Sequence, residues 1–120
     1  MQLNLLGLRT VIYPTRDLHA SRDWWAKTLG RAPYFDEEFY VGFNVGGYEL
    51  GLLPDANQGD GAQVYWGVED IASSIELAVA HGASILEPAT DVGDGIVTAT
   101  VRLPDGSIVG FINNPHFLLS

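Results

Sequence analysis

The sequence predicts an α+β domain built from two βαβββ modules, and three observations carry this prediction. A β-rich run that ends in Asp followed by an aliphatic residue occurs at 10–18 and again 53 residues later, at 63–71. Each run is followed by apolar residues at helical spacing, and then by short β-like segments with turn signals. A linker rich in Gly, Asp and Asn separates the halves. We therefore place module one at about 5–55 and module two at about 62–117 of a single domain.

The first helix is expected to begin after Asp17, whose carboxylate can accept the unpaired amide hydrogens of the first turn. An apolar stripe follows at helical spacing, formed by Leu18, Trp25 and Leu29. Gly30 is the expected end of this helix. Trp24 lies beside the stripe, so partial burial against the sheet is expected, with a dimer interface or the mouth of a cleft as alternatives.

Module one ends with two predicted strands, and a third, weaker strand candidate precedes them. They are predicted at 39–45 and 48–53 on either side of the Gly46-Gly47 turn, and the weaker one at 34–35. The acidic run Asp36-Glu37-Glu38 is expected on a solvated loop.

Module two repeats this order. Its helix should begin after Asp70 and end near Gly82, with apolar residues at helical spacing between them: Ile71, Ile75, Ala78 and Val79. Strands are predicted at 96–103 and 108–112, with a weaker candidate at 84–86. Neither half is large enough to bury its own sheet. We therefore expect the strands to curl into a half-barrel around a shared cleft, with the helices on the outer face.

Composition excludes several classes of protein. The 120 residues, 47% of them hydrophobic, suffice for one core, and the absence of cysteine removes disulfides, thiolate ligands and thiol nucleophiles. A net charge of −9 without a Lys/Arg cluster argues against a nucleic-acid partner. Neither a signal sequence nor an apolar run of membrane-spanning length is evident. A soluble, cytoplasmic protein is expected.

The opening of each module also carries a family resemblance. The strand at Thr10, Asp17-Leu18, the pair Trp24-Trp25 and Leu29-Gly30 together resemble the opening of vicinal oxygen chelate proteins. That family includes glyoxalase I, extradiol dioxygenases, fosfomycin-resistance enzymes and bleomycin-binding proteins. Residues 66–83, Leu103-Pro104-Asp105-Gly106 and Asn114-Pro115-His116-Phe117 resemble the second module. The resemblance covers nearly the whole chain and implies the fold more strongly than any activity.

The resemblance also implies a divalent metal, held by His or Glu on the first and last strand of each module. The matching positions here are Thr10, Glu49, Gln63 and Gly110. Only Glu49 is an ordinary ligand for such a metal, Gln63 offers a neutral oxygen, and Gly110 has no side chain. The three histidines, His19, His81 and His116, lack the spacing that would aim two at one ion. We therefore expect neither a metal nor another cofactor.

Strand alternation indicates which side chains face the cleft. If Thr10 points inward then Ile12 does too, and by the same count Gln63 and Tyr65 face the cleft. The last strands add further ligand-binding candidates: Glu49, Gly110 and Ile112, with His116 following directly. Tyr65 is the candidate for stacking on a flat ligand. Alternation turns Arg9 away, so no Arg or Lys is expected in the cleft.

Three functions fit these residues. The first is a metal-independent binding protein that sequesters a flat, cationic small molecule, with Glu49 pairing with the cation. The second is a glyoxalase-like lyase or isomerase, in which Glu49 is the catalytic base or holds a weakly bound divalent metal. The third is an interaction or regulatory module with a relic cleft. A homodimer is expected in each case, because half-barrels of this size leave sheet edges and apolar residues such as Trp24 and Phe117 to be covered.

Overall fold

The computed structural model describes residues 2–54, 59 and 61–118, and it contains the predicted elements in the predicted order. The first half comprises β1 (Leu8–Pro14), α1 (Leu18–Leu29), β2 (Phe35–Glu37), β3 (Tyr40–Val45) and β4 (Tyr48–Leu53). The second half comprises β5 (Gln63–Gly67), α2 (Ile71–Ala80), β6 (Ser84–Gly93), β7 (Ile96–Arg102) and β8 (Ile108–Asn113). This confirms the predicted α+β class. Neither helix in the described residues is long and apolar enough to cross a membrane.

The chain forms two compact units. One spans Thr10–Gln63, and the other joins Met1–Arg9 to Val64–Phe117. In the Thr10–Gln63 unit the strands lie in the order β2-β3-β4-β1, with β1 and β4 parallel and the other pairs antiparallel. In the Val64–Phe117 unit the order is β5-β8-β7-β6, with β5 and β8 parallel.

Helix α1 forms where the sequence predicts it. The Asp17 carboxylate accepts a hydrogen bond of 3.0 Å from the amide of Ala20, and Gly30 ends the helix in the left-handed conformation with φ of 70°. The helix buries Leu18 against core side chains of β3 and β4, namely Val41, Phe43 and Leu52, with Trp25, Leu29 and Leu50 at the edge of this cluster. One face of the Thr10–Gln63 sheet is therefore covered, and the other remains to carry a site.

Helix α2 is built in the same way. The carboxylate of Asp70 accepts a hydrogen bond of 3.1 Å from the amide of Ser73. The last helical residue is Ala80 and the C-cap is His81, one residue before the predicted end at Gly82. Its apolar face packs against side chains of β7, β8 and the flanking loops. Together these residues form a second core: Val68, Ile71, Ala78, Ala83, Ala99, Val101 and Phe111.

The edge strands differ most from the prediction. Strand β6 runs for ten residues, well beyond the expected 84–86, and it pairs with β7 through several register shifts. It contains Pro88, which lies where the register with β7 shifts and which an edge strand tolerates. Strand β2 contains Asp36 and Glu37, so their expected placement on a loop is wrong. All three residues of β2 are exposed, which explains how charged side chains fit there.

The two adjacent tryptophans have different environments. Trp25 packs at the edge of the α1 core and stacks against Tyr13, with ring centroids 6.0 Å apart. Trp24 is 59% exposed and touches Trp25 edge to face, so the expected burial of Trp24 against the sheet is wrong. It projects from α1 beside the apolar stripe.

Candidate functional site

Thr10 and Glu49 lie side by side on the face of the Thr10–Gln63 sheet that is opposite α1. They are register partners on the parallel strands β1 and β4. The next residue of β4, Leu50, packs in the α1 core, so alternation turns Glu49 to the opposite face. Ile12 follows Thr10 on the same face and pairs with Gly51. The structure thus brings together three of the predicted site residues.

The Glu49 carboxylate has a hydroxyl donor on each oxygen. Thr10, only 5% exposed, donates from Oγ1 to Oε1 at 3.1 Å. The Tyr34 hydroxyl donates to Oε2. The two hydrogen bonds fix the Glu49 carboxylate in one orientation. A fixed carboxylate can pair with a cation or accept a proton.

Tyr34 is a site residue that the sequence analysis missed. Its amide donates to the carbonyl of Gly42 at 2.9 Å, which aligns it with β3 just before β2 begins. Desolvation of the phenol, with the hydrogen bond to Glu49 and the charge of Glu49, raises the pKa of Tyr34 above its ordinary value of 10.0. The phenol therefore stays protonated and keeps donating to Glu49 at neutral pH.

Two glycines make room for tyrosine rings on this face. A Cβ atom at Gly42 would lie 2.9 Å from both Oε2 of Glu49 and Cε1 of Tyr34. A Cβ at Gly51 would collide with the hydroxyl of Tyr40. Glycines that alternate with apolar residues, as Gly42 and Gly51 do, are the sequence signal that could have indicated these neighbours.

Tyr65 is the main predicted site residue of the Val64–Phe117 unit. It lies on β5, is 8% exposed and pairs in register with Gly110 on β8. A Cβ at Gly110 would lie 2.5 Å from Cδ2 of Tyr65, so the ring covers the glycine. Burial, followed by the charge of Glu87, raises the pKa of Tyr65 to about 12. Ile112, 6% exposed, lies two residues beyond Gly110 on the same face.

The remaining candidates lie at strand ends. Gln63 is the first residue of β5 and is partly exposed. His116 follows β8, and its Nε2 lies 2.9 Å from the carbonyl oxygen of Asp94 in the turn between β6 and β7. That contact braces the turn. Ligand binding by Gln63 and His116 stays a prediction.

The expected orientation of Arg9 is wrong. A Cβ at Gly67 would lie 2.7 Å from Nε of Arg9, and Gly67 shares a strand face with Tyr65. The guanidinium also stacks on the ring of Phe117, 3.8 Å from its centroid. The long side chain reaches this place because Gly67 leaves it open, whereas alternation fixes only the direction of a Cβ. A cation therefore lies on the Tyr65 face of β5.

The residues present do not fit the divalent metal that the resemblance implies. Glu49 is the one ordinary ligand at the four matching positions, and both of its oxygens accept hydrogen bonds from hydroxyls. The Tyr65 ring fills the space that a side chain at Gly110 would need. Within residues 2–54, 59 and 61–118, no three His, Asp or Glu side chains are grouped so as to hold a metal.

No family model and no curated protein matches the sequence. Solved structures do resemble this one. Methylmalonyl-CoA epimerase from Streptomyces coelicolor, in complex with 2-nitronate-propionyl-CoA, aligns with a TM-score of 0.77 at 15% identity, covering 93% of this chain and 99% of that chain. Methylmalonyl-CoA epimerase from Mycobacterium tuberculosis aligns with a TM-score of 0.73 at 16% identity, covering 96% and 93%.

A third similar structure is described as an NAD-dependent benzaldehyde dehydrogenase from Legionella pneumophila. It aligns with a TM-score of 0.66 at 18% identity, covering 87% of this chain and 96% of that chain. Identities this low bear on the fold rather than on activity. The chain therefore shares its fold with methylmalonyl-CoA epimerase.

Proposed function

We propose that this protein binds a flat, cationic small molecule through Glu49, without a metal. The observation that carries the proposal is the Glu49 carboxylate, held in one orientation by the hydroxyls of Thr10 and Tyr34 on the sheet face opposite α1. A pre-oriented carboxylate binds an amidinium or ammonium group without reorganising, which reduces the entropy lost on binding.

Aromatic rings around the carboxylate suit a flat ligand. Tyr34 lies over Gly42 of β3 and Tyr40 over Gly51 of β4. The Phe35 ring contacts both tyrosine rings, at 6.5 and 6.2 Å between centroids, and Phe39 contacts Phe35 at 5.9 Å. Tyrosine faces also attract cations through their quadrupoles. The net charge of −9 raises the local concentration of cationic ligands further.

Benzamidinium and benzoate provide a test, because they are flat, of similar size and opposite in charge. Calorimetric titration should show benzamidinium binding to the wild type, with a dissociation constant about tenfold higher for Glu49→Gln, because one charge-assisted hydrogen bond contributes about 1.5 to 3 kcal/mol. Glu38→Gln, which removes the same charge from a side chain that is 86% exposed, is the matched control. Equal affinity for benzoate, or no effect of Glu49→Gln, would overturn the proposal.

The second candidate is an isomerase in which Glu49 removes a proton from a carbon next to a carbonyl. One observation favours it: the fold is shared with methylmalonyl-CoA epimerase. In this reaction Glu49 takes the proton from one face of the carbon and leaves an enolate, a water molecule then gives a proton to the opposite face, and Glu49 returns its proton to the resulting hydroxide. Incubation with methylmalonyl-CoA in D₂O should then exchange the α-hydrogen for deuterium, and Glu49→Gln should abolish the exchange.

A further inference from the structure

The Val64–Phe117 unit has its own carboxylate held by a threonine. Thr100 on β7, which is 1% exposed, donates from Oγ1 to Oε1 of Glu87 on β6 at 3.1 Å. Ala99 and Val101 pack in the α2 core, so Thr100 and its register partner Glu87 lie on the opposite face of the sheet. Glu87 itself is exposed. A buried hydroxyl thus orients a carboxylate that solutes can reach.

Tyr65 lies on the same face and interacts with Glu87. Thr100 and Tyr65 are both register partners of Gly110, on either side of it, and the Tyr65 ring covers Gly110. The charge of Glu87 contributes to the raised pKa of Tyr65, which places the phenol within electrostatic range of the carboxylate. Carboxylate, threonine and tyrosine therefore form one cluster.

This cluster is not a copy of the one at Glu49 made by the internal repeat. At Glu49 the threonine comes from the first strand of the module and the glutamate from the last. At Glu87 the glutamate comes from the module's second strand, the threonine from its third and the tyrosine from its first. A glutamate, a threonine and a tyrosine thus meet at non-equivalent positions of the two modules. Duplication of one module therefore does not account for the cluster at Glu87.

We propose that Glu87, Thr100 and Tyr65 form a further binding site, which takes a planar amidinium or guanidinium group. Glu87 supplies the negative charge, Thr100 fixes its orientation, and the Tyr65 ring forms a flat wall beside it. Two cations share this face in the described residues, Arg9 and Arg102. The Arg9 guanidinium stacks on Phe117 and lies against Gly67, at the end of β5 rather than beside Thr100. Arg102, two residues beyond Thr100 on β7, donates to the carbonyl of Gly106 at 2.9 Å, in the turn that follows β7. The proposal does not depend on ligand binding at Glu49.

Backbone amide shifts in a two-dimensional NMR titration with benzamidinium test the site. Residues 65, 87 and 100 of the wild type should shift together and saturate with one dissociation constant. Glu87→Gln should raise that constant about tenfold, as expected for loss of one charge-assisted hydrogen bond. Thr100→Val, which keeps the shape of the buried side chain, should raise it by a smaller factor. Glu76→Gln, on the exposed side of α2, removes the same charge elsewhere and should leave the constant unchanged.

The same titration distinguishes this site from ligand binding at Glu49 and from anion binding at a cation of this face. Glu49→Gln should leave the shifts at residues 65, 87 and 100 intact, and benzoate should not produce them. Shifts that disappear in Glu49→Gln would belong to a ligand held at Glu49, and shifts produced by benzoate would belong to an anion held by a cation of this face, Arg9 or Arg102. Either result, or no saturable shift in the folded wild type, overturns the proposal.

Discussion

Tyr65 occupies the space that a side chain at Gly110 would need. The ideal Cβ position at Gly110 lies 2.5 Å from Cδ2 and 2.8 Å from Cε2 of the buried Tyr65 ring. Gly110 does not have a positive φ, so alanine would fit its backbone and only packing opposes the substitution. We expect Gly110→Ala to lower the free energy of unfolding by about 1 to 3 kcal/mol, as overpacked cores do.

Denaturant unfolding of Gly110→Ala, Tyr65→Leu and the double variant checks this expectation. The double variant should be more stable than the sum of the single effects predicts, because the smaller side chain makes room for the added methyl group. Strict additivity of the two substitutions would show that the ring is not what excludes a side chain at position 110.

The buried phenol of Tyr65 makes stability depend on alkaline pH. Its pKa is raised from 10.0 to about 12 in the folded protein, so folding favours the neutral phenol. The stability from this group is complete below about pH 10 and is lost as the pH rises through about 12. Tyrosinate absorbance should therefore show that Tyr65 titrates late, together with loss of the folded state.

The Glu87→Gln variant tests whether the charge of Glu87 contributes to the raised pKa of Tyr65. Removing the negative charge near Tyr65 should lower the pKa of that phenol, although burial, the larger cause, should keep it above the ordinary value. Glu76→Gln should not change it. An unchanged titration of Tyr65 in Glu87→Gln would show that the two side chains do not interact in solution.

Local signals made most of the fold predictable. The Asp17 and Asp70 caps, the glycine after α1 and the alternation of β3, β4, β7 and β8 act over a few residues, and the structure confirms the elements they predict. The edge strands were less predictable. One side of β2 and of β6 lacks a neighbour, so charged residues and a proline fit there as they do in loops.

The sites depend on contacts between distant strands, which the sequence does not display. Tyr34, just before β2, reaches Glu49 because its amide is bonded to Gly42 on β3, the neighbour of β4. Glu87 meets Thr100 through an irregular pairing. Alternation gave the direction of Thr10 and Glu49 correctly because both lie within regular strands. It failed for Arg9, since a flexible side chain can bend toward the space above a glycine.

A metal should not accompany the purified protein. Thr10 and Gly110 cannot replace two strong ligands, and Glu49 is already hydrogen-bonded on both oxygens. Elemental analysis should therefore find well under one Ni, Zn, Fe or Mn per chain, and a chelator should leave the melting temperature unchanged. About one metal per chain, lost in Glu49→Ala, would contradict this expectation.

Exposed apolar residues lead us to expect a homodimer. Trp24 is 59% exposed on α1, although an indole is one of the largest apolar groups a protein can bury. Each unit's sheet also ends in an edge strand, β2 in one and β6 in the other. An indole of this kind at an interface typically contributes more than 1 kcal/mol to association.

Light scattering across micromolar concentrations should thus give twice the mass of the 13.0 kDa chain. Trp24→Gln should shift the dissociation to concentrations about tenfold higher, because a contribution of about 1.4 kcal/mol corresponds to a factor of ten. Val79→Gln, at a 44% exposed position of α2, is the control for a general loss of apolar surface. A wild type that stays monomeric throughout this range would contradict the dimer, and equal effects of the two substitutions would exclude Trp24 as its contact.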